Sequence, residues 1–200
     1  GVCLVGPAGT GKSTVLKLVS EAMTALNTRD KTNDKYKEVQ SLTINPKSIS
    51  MGELYGQENE ETKTFVYGIA TNNIKEGLVV PDPTEKLRLT VFDGPIDTIW
   101  IENLNSVLDD SMLLCLSNGE RIKLMRHLRL IFEVEDLSQA SLATVSRLGI
   151  VYVGRSDDQW KVIYKSWLKN YFKDESILTI EMVKYLDMLF ADKMTDALSN

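Results

Sequence analysis

The stretch that most constrains this chain is its beginning. A short apolar run, Val2 to Val5, meets the pattern G-x-x-x-x-G-K-S, here Gly6, Pro7, Ala8, Gly9, Thr10, Gly11, Lys12 and Ser13, with Thr14 next. An apolar series at helical spacing follows at once: Val15, Leu16, Leu18, Val19, Ala22, Met23 and Leu26. Strand, glycine-rich turn and helix in that order are the context in which this motif makes a phosphate site. The competing explanation is a glycine-rich turn that happens to contain Lys-Ser, but all motif positions and both flanks agree with the phosphate site.

The residue types fit that chemistry. Gly6, Gly9 and Gly11 can take backbone conformations closed to other residues and let the chain approach a phosphate. Loop N–H groups can then form a nest for anionic oxygens, and the helix beginning near Lys12 adds its positive end. Lys12 offers a mobile point charge to the β- and γ-phosphates. The Ser13 hydroxyl is a hard oxygen suited to Mg²⁺. Residues 6–14 are therefore the candidate nucleotide contacts.

Two hundred residues allow one full domain, or one with a small satellite. Net charge is −5, from 28 acidic and 23 basic residues, and no basic stripe marks a nucleic-acid partner. No apolar run has the length needed to span a bilayer. Cys3 and Cys115 sit singly in apolar runs; their spacing fits neither a zinc site nor a disulfide framework, so a reducing compartment is expected. Residue 1 already lies inside the nucleotide strand, and the apolar stripe Ile177, Ile180, Val183, Leu186, Leu189, Phe190, Met194 reaches Leu198 without a stop signal. A piece of something longer is the expectation.

A second buried run, Leu87 to Phe92, ends on Asp93-Gly94. Near-continuous apolar runs suit strands covered on both faces of a parallel sheet. An acid at the end of such a strand is where a P-loop protein holds magnesium through water, so Asp93 joins Ser13 as a candidate metal-site residue. A turn-forming Asp-Gly pair is the plainer alternative. The next position, where many ring ATPases carry the glutamate that polarises the attacking water, is Gly94. Nearby acids (Asp97, Glu102, Asp109, Asp110) are displaced from it. Tight nucleotide binding with little hydrolysis is expected, since general-base help supplies roughly 10²–10⁴-fold.

Residues 27–38 form a polar loop or helix end. Ser41 to Ile44 is a strand closed by Asn45-Pro46. Residues 47–80 hold one or two helices, and Pro81-Asp-Pro83-Thr is a loop. Trp100, Ile101, Leu104, Val107 and Leu108 share one helical face directed at the core. Asn118-Gly119 makes a two-residue hairpin turn between residues 113–117 and 120–124. His127 is a surface or turn residue. Leu128 to Val134 is a buried strand leading into Glu135-Asp136. Residues 138–147 form a short helix capped by Ser138 and stopped at Gly149, with Arg147 as a cation at its C-terminal end. Ile150 to Val153 is a last strand. From Ser156 on there is no strand signal, and Trp160, Ile163, Tyr164, Trp167, Leu168 and Tyr171 line one apolar helical face. The fold class expected is α/β: a P-loop parallel sheet flanked by helices, with an inserted β-hairpin and a C-terminal helical subdomain, divided into residues 1–155 and 156–200.

In order, the P-loop, INPKSIS, LTVFDGPIDTIWIENLNSVLDD, the SNGERI hairpin, IFEVEDLSQASLATVSR and GIVYV resemble the second AAA+ module of a dynein heavy chain over most of residues 1–153. The FDGPID wording is closer to axonemal dyneins. Family members usually carry Trp-Thr-Asp-Gly before the acid-ended strand; here Phe65-Val-Tyr-Gly68 stands instead. The resemblance implies a module of a six-membered ring in a microtubule motor, with neighbouring AAA+ modules and other dynein subunits as partners. It implies ATP (or ADP) with Mg²⁺ as resident ligand, and a cytoplasmic, cytoskeletal location in the ciliary axoneme. It further implies Asp136 as a polar sensor residue, and Arg147 as an arginine finger acting in trans on the neighbouring module's nucleotide. A self-sufficient AAA+ ATPase of the MoxR or midasin type, or a small P-loop kinase, would explain the P-loop as well.

Overall fold

The computed structural model describes residues 1–79, 86–156, 159–171 and 177–198. It divides into two compact units, Gly1–Gly154 and Arg155–Asn200. The first is built on a five-stranded parallel sheet. Strand β1 (Val2–Val5) leads through the glycine-rich loop into α1 (Lys12–Arg29) and then β2 (Glu38–Ile44). Next come α2 (Met51–Tyr55), a hairpin of β3 (Gly56–Glu58) and β4 (Phe65–Tyr67), and α3 (Ile69–Val79). Strand β5 (Lys86–Asp93) precedes the short helices α4 (Thr98–Glu102) and α5 (Asn105–Leu108) and the hairpin β6 (Leu113–Cys115)–β7 (Arg121–Lys123). Strand β8 (Leu128–Val134), the single turn α6 (Leu142–Val145) and the edge strand β9 (Gly149–Tyr152) complete the unit. The strand order β2-β5-β8-β1-β9 puts β8 between the loop-bearing strand and the acid-ended strand.

The two faces of this sheet differ. One face is thick: Phe92 of β5, Phe132 of β8 and Trp100 of α4 stack with centroids 5.3–6.1 Å apart, among Leu54, Ile74, Ile101, Leu104 and Leu114. The other carries a smaller cluster of Leu89, Val91 and Ile131, against which Leu16 of α1 packs. Because side chains alternate along a strand, the row Leu89, Val91 continues to Asp93, and Ile131 continues to Glu133. Both acids thus fall on the α1 side.

Several local expectations are corrected. Residues 47–80 are not only helical: β3 and β4 form a hairpin around Phe65, because Gly56 has φ +130° and the Asn59 side chain accepts the N–H groups of Glu61 and Thr62 to make the turn. The apolar face 100–108 does reach the core, but as two short helices rather than one. The hairpin at Asn118-Gly119 has a longer connection than two residues, since the last strand pair is Cys115 with Arg121. The helix expected over 138–147 is one turn, capped by Ser141 and not Ser138, and Gly149 opens β9 instead of stopping a helix. Ser138 is engaged by Asp136 in a turn. His127 lies in the turn before β8, as expected, half-buried and with its ring bonded to the Gly77 carbonyl at 3.0 Å. The Pro81-Asp-Pro83 loop lies outside the described residues.

Glu120 ties the two hairpins to α3. It accepts the Tyr67 hydroxyl at 2.8 Å and pairs with Lys75 at 2.9 Å, and the Lys75 ammonium lies 3.7 Å from the Tyr67 ring centroid. The ammonium and the phenol hold the Glu120 carboxyl below its usual range.

Asp97 caps α4, accepting the N–H groups of Ile99 and Trp100, and pairs with Lys47. The Lys47 ammonium and the two cap bonds hold its carboxyl below the ordinary 3.8. Its contribution is therefore present above about pH 4 and lost as the pH falls through the lowered folded value. Asp97→Ala is expected to cost about 1 kcal/mol, the usual cost of losing a cap, at neutral pH, and progressively less as acid protonates the carboxyl. Hydrogen exchange of the Trp100 and Ile101 amides across that range checks this.

The second unit contains α7 (Gln159–Tyr171) and α8 (Ile177–Leu198). The expected apolar face of α7 is only partly covered: Tyr164 is buried and stacks on Trp167 at 6.3 Å and on Phe190 of α8 at 4.6 Å, while Ile163 and Tyr171 are exposed. The side chains of Ile177, Met194 and Leu198 lie outside the described residues. Among the described residues no helix is long and apolar enough to cross a membrane.

Candidate nucleotide site

The loop between β1 and α1 is shaped by two different glycine requirements. Gly9 and Gly11 have φ of +78° and +94°, and a Cβ at either would meet open space. They supply left-handed turns on the side a ligand would approach. Gly6 differs from its expected role. A Cβ there would come within 2.0 Å of the Val153 carbonyl oxygen, so its need is close backbone packing against the end of β9. Gly6 N–H also donates to the Val134 carbonyl at 3.1 Å, which anchors the loop to both β8 and the edge strand. The buried Thr10 closes the turn by donating to the Pro7 carbonyl at 3.0 Å. Ala8 and Thr14 are exposed, Pro7 half-buried.

The Lys12 ammonium is folded onto the loop, donating to the Gly6 carbonyl at 2.6 Å and the Pro7 carbonyl at 3.0 Å. It therefore stands over the loop's own backbone. The Ser13 hydroxyl donates to Glu133 Oε2 at 2.5 Å. Glu133 is only 4% exposed and sits in register with Asp93 on the neighbouring strand. Ser13, Asp93 and Glu133 line one end of a groove of about 680 Å³ that runs beneath α1 past Leu16 and Val39.

These donors suit a Mg-nucleotide. The cradle is open at the glycines, one cation is close by, and a hydroxyl with two carboxylates gives the hard oxygen set that Mg²⁺ prefers. No motif marks Glu133 in the sequence; its one signal is that it is the single acid in the strand run Leu128 to Val134. Asp136 takes another course. It lies past the end of β8, and its carboxylate accepts the Ser138 hydroxyl at 2.5 Å and amide at 2.8 Å, which hold it below its usual range. It is not among the residues lining the groove.

Gly94 is enclosed. A Cβ there would lie 2.9 Å from Asn45 Oδ1 and 3.3 Å from Pro46, and Asn45 Oδ1 is held by the Lys47 amide at 2.9 Å. Arg147 is remote in sequence from these groups and held by its own surroundings. One guanidinium nitrogen donates to the Ala143 carbonyl at 2.6 Å, and another pairs with Asp109 at 3.2 Å. Its side chain remains about one-third exposed.

A family model described as an AAA domain of the dynein-related subfamily matches residues 1–148. Dynein axonemal heavy chain 6 of Homo sapiens is 43% identical over 190 residues, covering 95% of this chain and 4% of the relative. Dynein axonemal heavy chain 1 of Homo sapiens is 44% identical over 170 residues, with 84% and 4% covered. Dynein axonemal heavy chain 12 of Rattus norvegicus is 43% identical over 170 residues, with 85% and 5% covered. The chain thus spans about one-twentieth of the length of these curated relatives.

Proposed function

Because the chain belongs to the dynein-related AAA domain family, we propose that it is the second AAA+ module of an axonemal dynein heavy chain, which holds Mg-ATP with little or no hydrolysis. The observation that carries this reading is the pairing of a complete grip with a missing base. Lys12 and Ser13 stand at an open glycine cradle and Ser13 meets the acid-bearing strands, while Asp93 is followed by Gly94, which carries no side chain and sits tightly beside Asn45 and Pro46.

Each residue then has a task. The loop amides around Gly9 and Gly11 orient the phosphates, and Lys12 leaves the Gly6 and Pro7 carbonyls to neutralise them. Ser13 and Asp93 would hold the metal, directly or through water. Bound Mg²⁺ would supply charge neutralisation between the β- and γ-phosphates. Asp136 serves as a polar sensor beyond the strand end, and Arg147 is offered to the preceding module. Residues from 156 on begin a helical lid. The whole heavy chain would be an ATP-driven, minus-end-directed microtubule motor in the ciliary axoneme, working with the other modules of its ring and other dynein subunits.

A pulse–chase tests this. The full-length protein is loaded with 8-azido-ATP labelled on either the α- or the γ-phosphate, chased for many motor turnovers, and photolysed. Peptides of this module should retain both labels about equally, and Lys12→Ala should remove at least nine-tenths of either. Loss of the γ-label with the α-label kept would mean the site hydrolyses, and would favour a self-sufficient ATPase.

A further inference from the structure

We propose that Glu133 is a positioning residue of the metal site: it accepts the Ser13 O–H as a hydrogen bond, so that a Ser13 lone pair faces the cation, and with Asp93 it makes the metal-facing wall doubly anionic. This rests on the nucleotide reading above and names a residue that the P-loop and acid-ended strand do not include. A serine hydroxyl has one proton and two lone pairs. To ligate a metal it must direct the proton elsewhere. Here the Ser13 hydroxyl donates to Glu133 Oε2 at 2.5 Å, a short bond of the charge-assisted kind, although Asp93 also lines the groove.

Topology explains why. Strand β8 lies between β1 and β5, so the Asp93 side chain starts two strands from β1 and the Glu133 side chain one. The register Leu4 with Glu133 and Glu133 with Asp93 puts the three in a row across the sheet. Glutamate at 133, on the nearer strand, thereby meets the start of α1.

Burial makes the same point from energetics. A carboxylate that is 96% covered is costly unless compensated. None of the ion pairs among the described residues includes Glu133, and its side-chain bond is to a neutral hydroxyl. A dication at Ser13 would supply the missing countercharge. In its absence the same carboxylate repels a triphosphate, so Glu133 makes nucleotide binding depend more steeply on the metal.

The two effects have opposite signs, which a merely structural role would not produce. In the full-length protein, photolabelling of this module's peptides by 8-azido-ATP is titrated with Mg²⁺ and repeated in EDTA. Glu133→Gln, which keeps shape and a hydrogen-bond acceptor, should weaken Mg-dependent labelling about 10-fold or more, the scale of losing an outer partner of a metal ligand. The same variant should label several-fold better than wild type in EDTA. Glu133→Asp retains the charge but draws it back from Ser13; it should lose part of the Mg²⁺ dependence and gain nothing in EDTA, and it carries the test if the glutamine variant does not fold. Unchanged labelling, or equal loss with and without metal, would overturn the role of Glu133 and leave the nucleotide reading standing. Wild-type protein that takes no label on this module would overturn both.

Discussion

Arg147→Ala in the full-length protein is expected to slow ATP turnover at the module before this one by about 10³-fold or more, the range in which arginine fingers act. Nucleotide retention at Lys12 and Ser13 should be unaffected. The plainer role of Arg147 is visible in the structure: it closes the end of a one-turn helix by donating to the Ala143 carbonyl and pairs with Asp109. That role is small. A half-exposed ion pair contributes roughly 0–1 kcal/mol, so Asp109 cannot hold the guanidinium against a transferring phosphoryl group. The conservative variant separates the two. Arg147→Lys keeps a cation that can reach Asp109 and the helix end, but not the planar fork. If Arg147 acts in trans, lysine should restore less than a tenth of the lost turnover. Full restoration by lysine, or unchanged turnover in the alanine variant, would reduce Arg147 to a helix-end charge.

Gly6→Ala is the substitution expected to damage the site most from within. Its Cβ would stand 2.0 Å from the Val153 oxygen and 2.9 Å from the Val153 carbon, both backbone atoms. Neither side can yield cheaply, because Val153 N–H donates to the Val5 carbonyl at 2.7 Å and Gly6 N–H to the Val134 carbonyl at 3.1 Å. Overpacking against fixed backbone costs about 3 kcal/mol at the upper end of the usual range. Amide exchange at Gly6 and Val153 should therefore quicken by about 10²-fold. Nucleotide labelling should be lost with it. Gly9→Ala is the contrast. It meets no atom within 4 Å and suffers only the strain of φ +78°, about 1–2 kcal/mol. If alanine at 6 were tolerated as well as alanine at 9, the loop would not be pinned to β9.

Periodicity and motif succeeded where the forces are local. The apolar spacing after Ser13 gives α1, and the run before Asp93 gives a strand covered on both faces at its centre, with Val91 and Phe92 almost fully buried. The same reasoning placed Trp100, Ile101, Leu104 and Val107 in the core, although the single helix expected there is broken at Asn103-Leu104. It failed where side chains make turns by hydrogen bonding. Asn59 converts part of an expected helical region into a hairpin, and Ser138 joins a turn with Asp136 rather than capping a helix. Such bonds depend on which neighbour is within reach, and apolar spacing carries no record of that.

The amino-acid order alone determined that a loop of the G-x-x-x-x-G-K-S pattern precedes an acid-ended strand with no glutamate after it, because those properties reside in residue type and adjacency. Three things were decided only by folding. Strand order set β8 between the two motif strands and so delivered Glu133, not Asp93, to the Ser13 hydroxyl. The approach of β9 turned Gly6 from a flexible position into a packed one. Asn45 and Pro46, brought beside Gly94, crowd the position next to Asp93. Each joins residues far apart in the chain, and their meeting is fixed by the register of a parallel sheet, whose partners the sequence of a single strand does not specify.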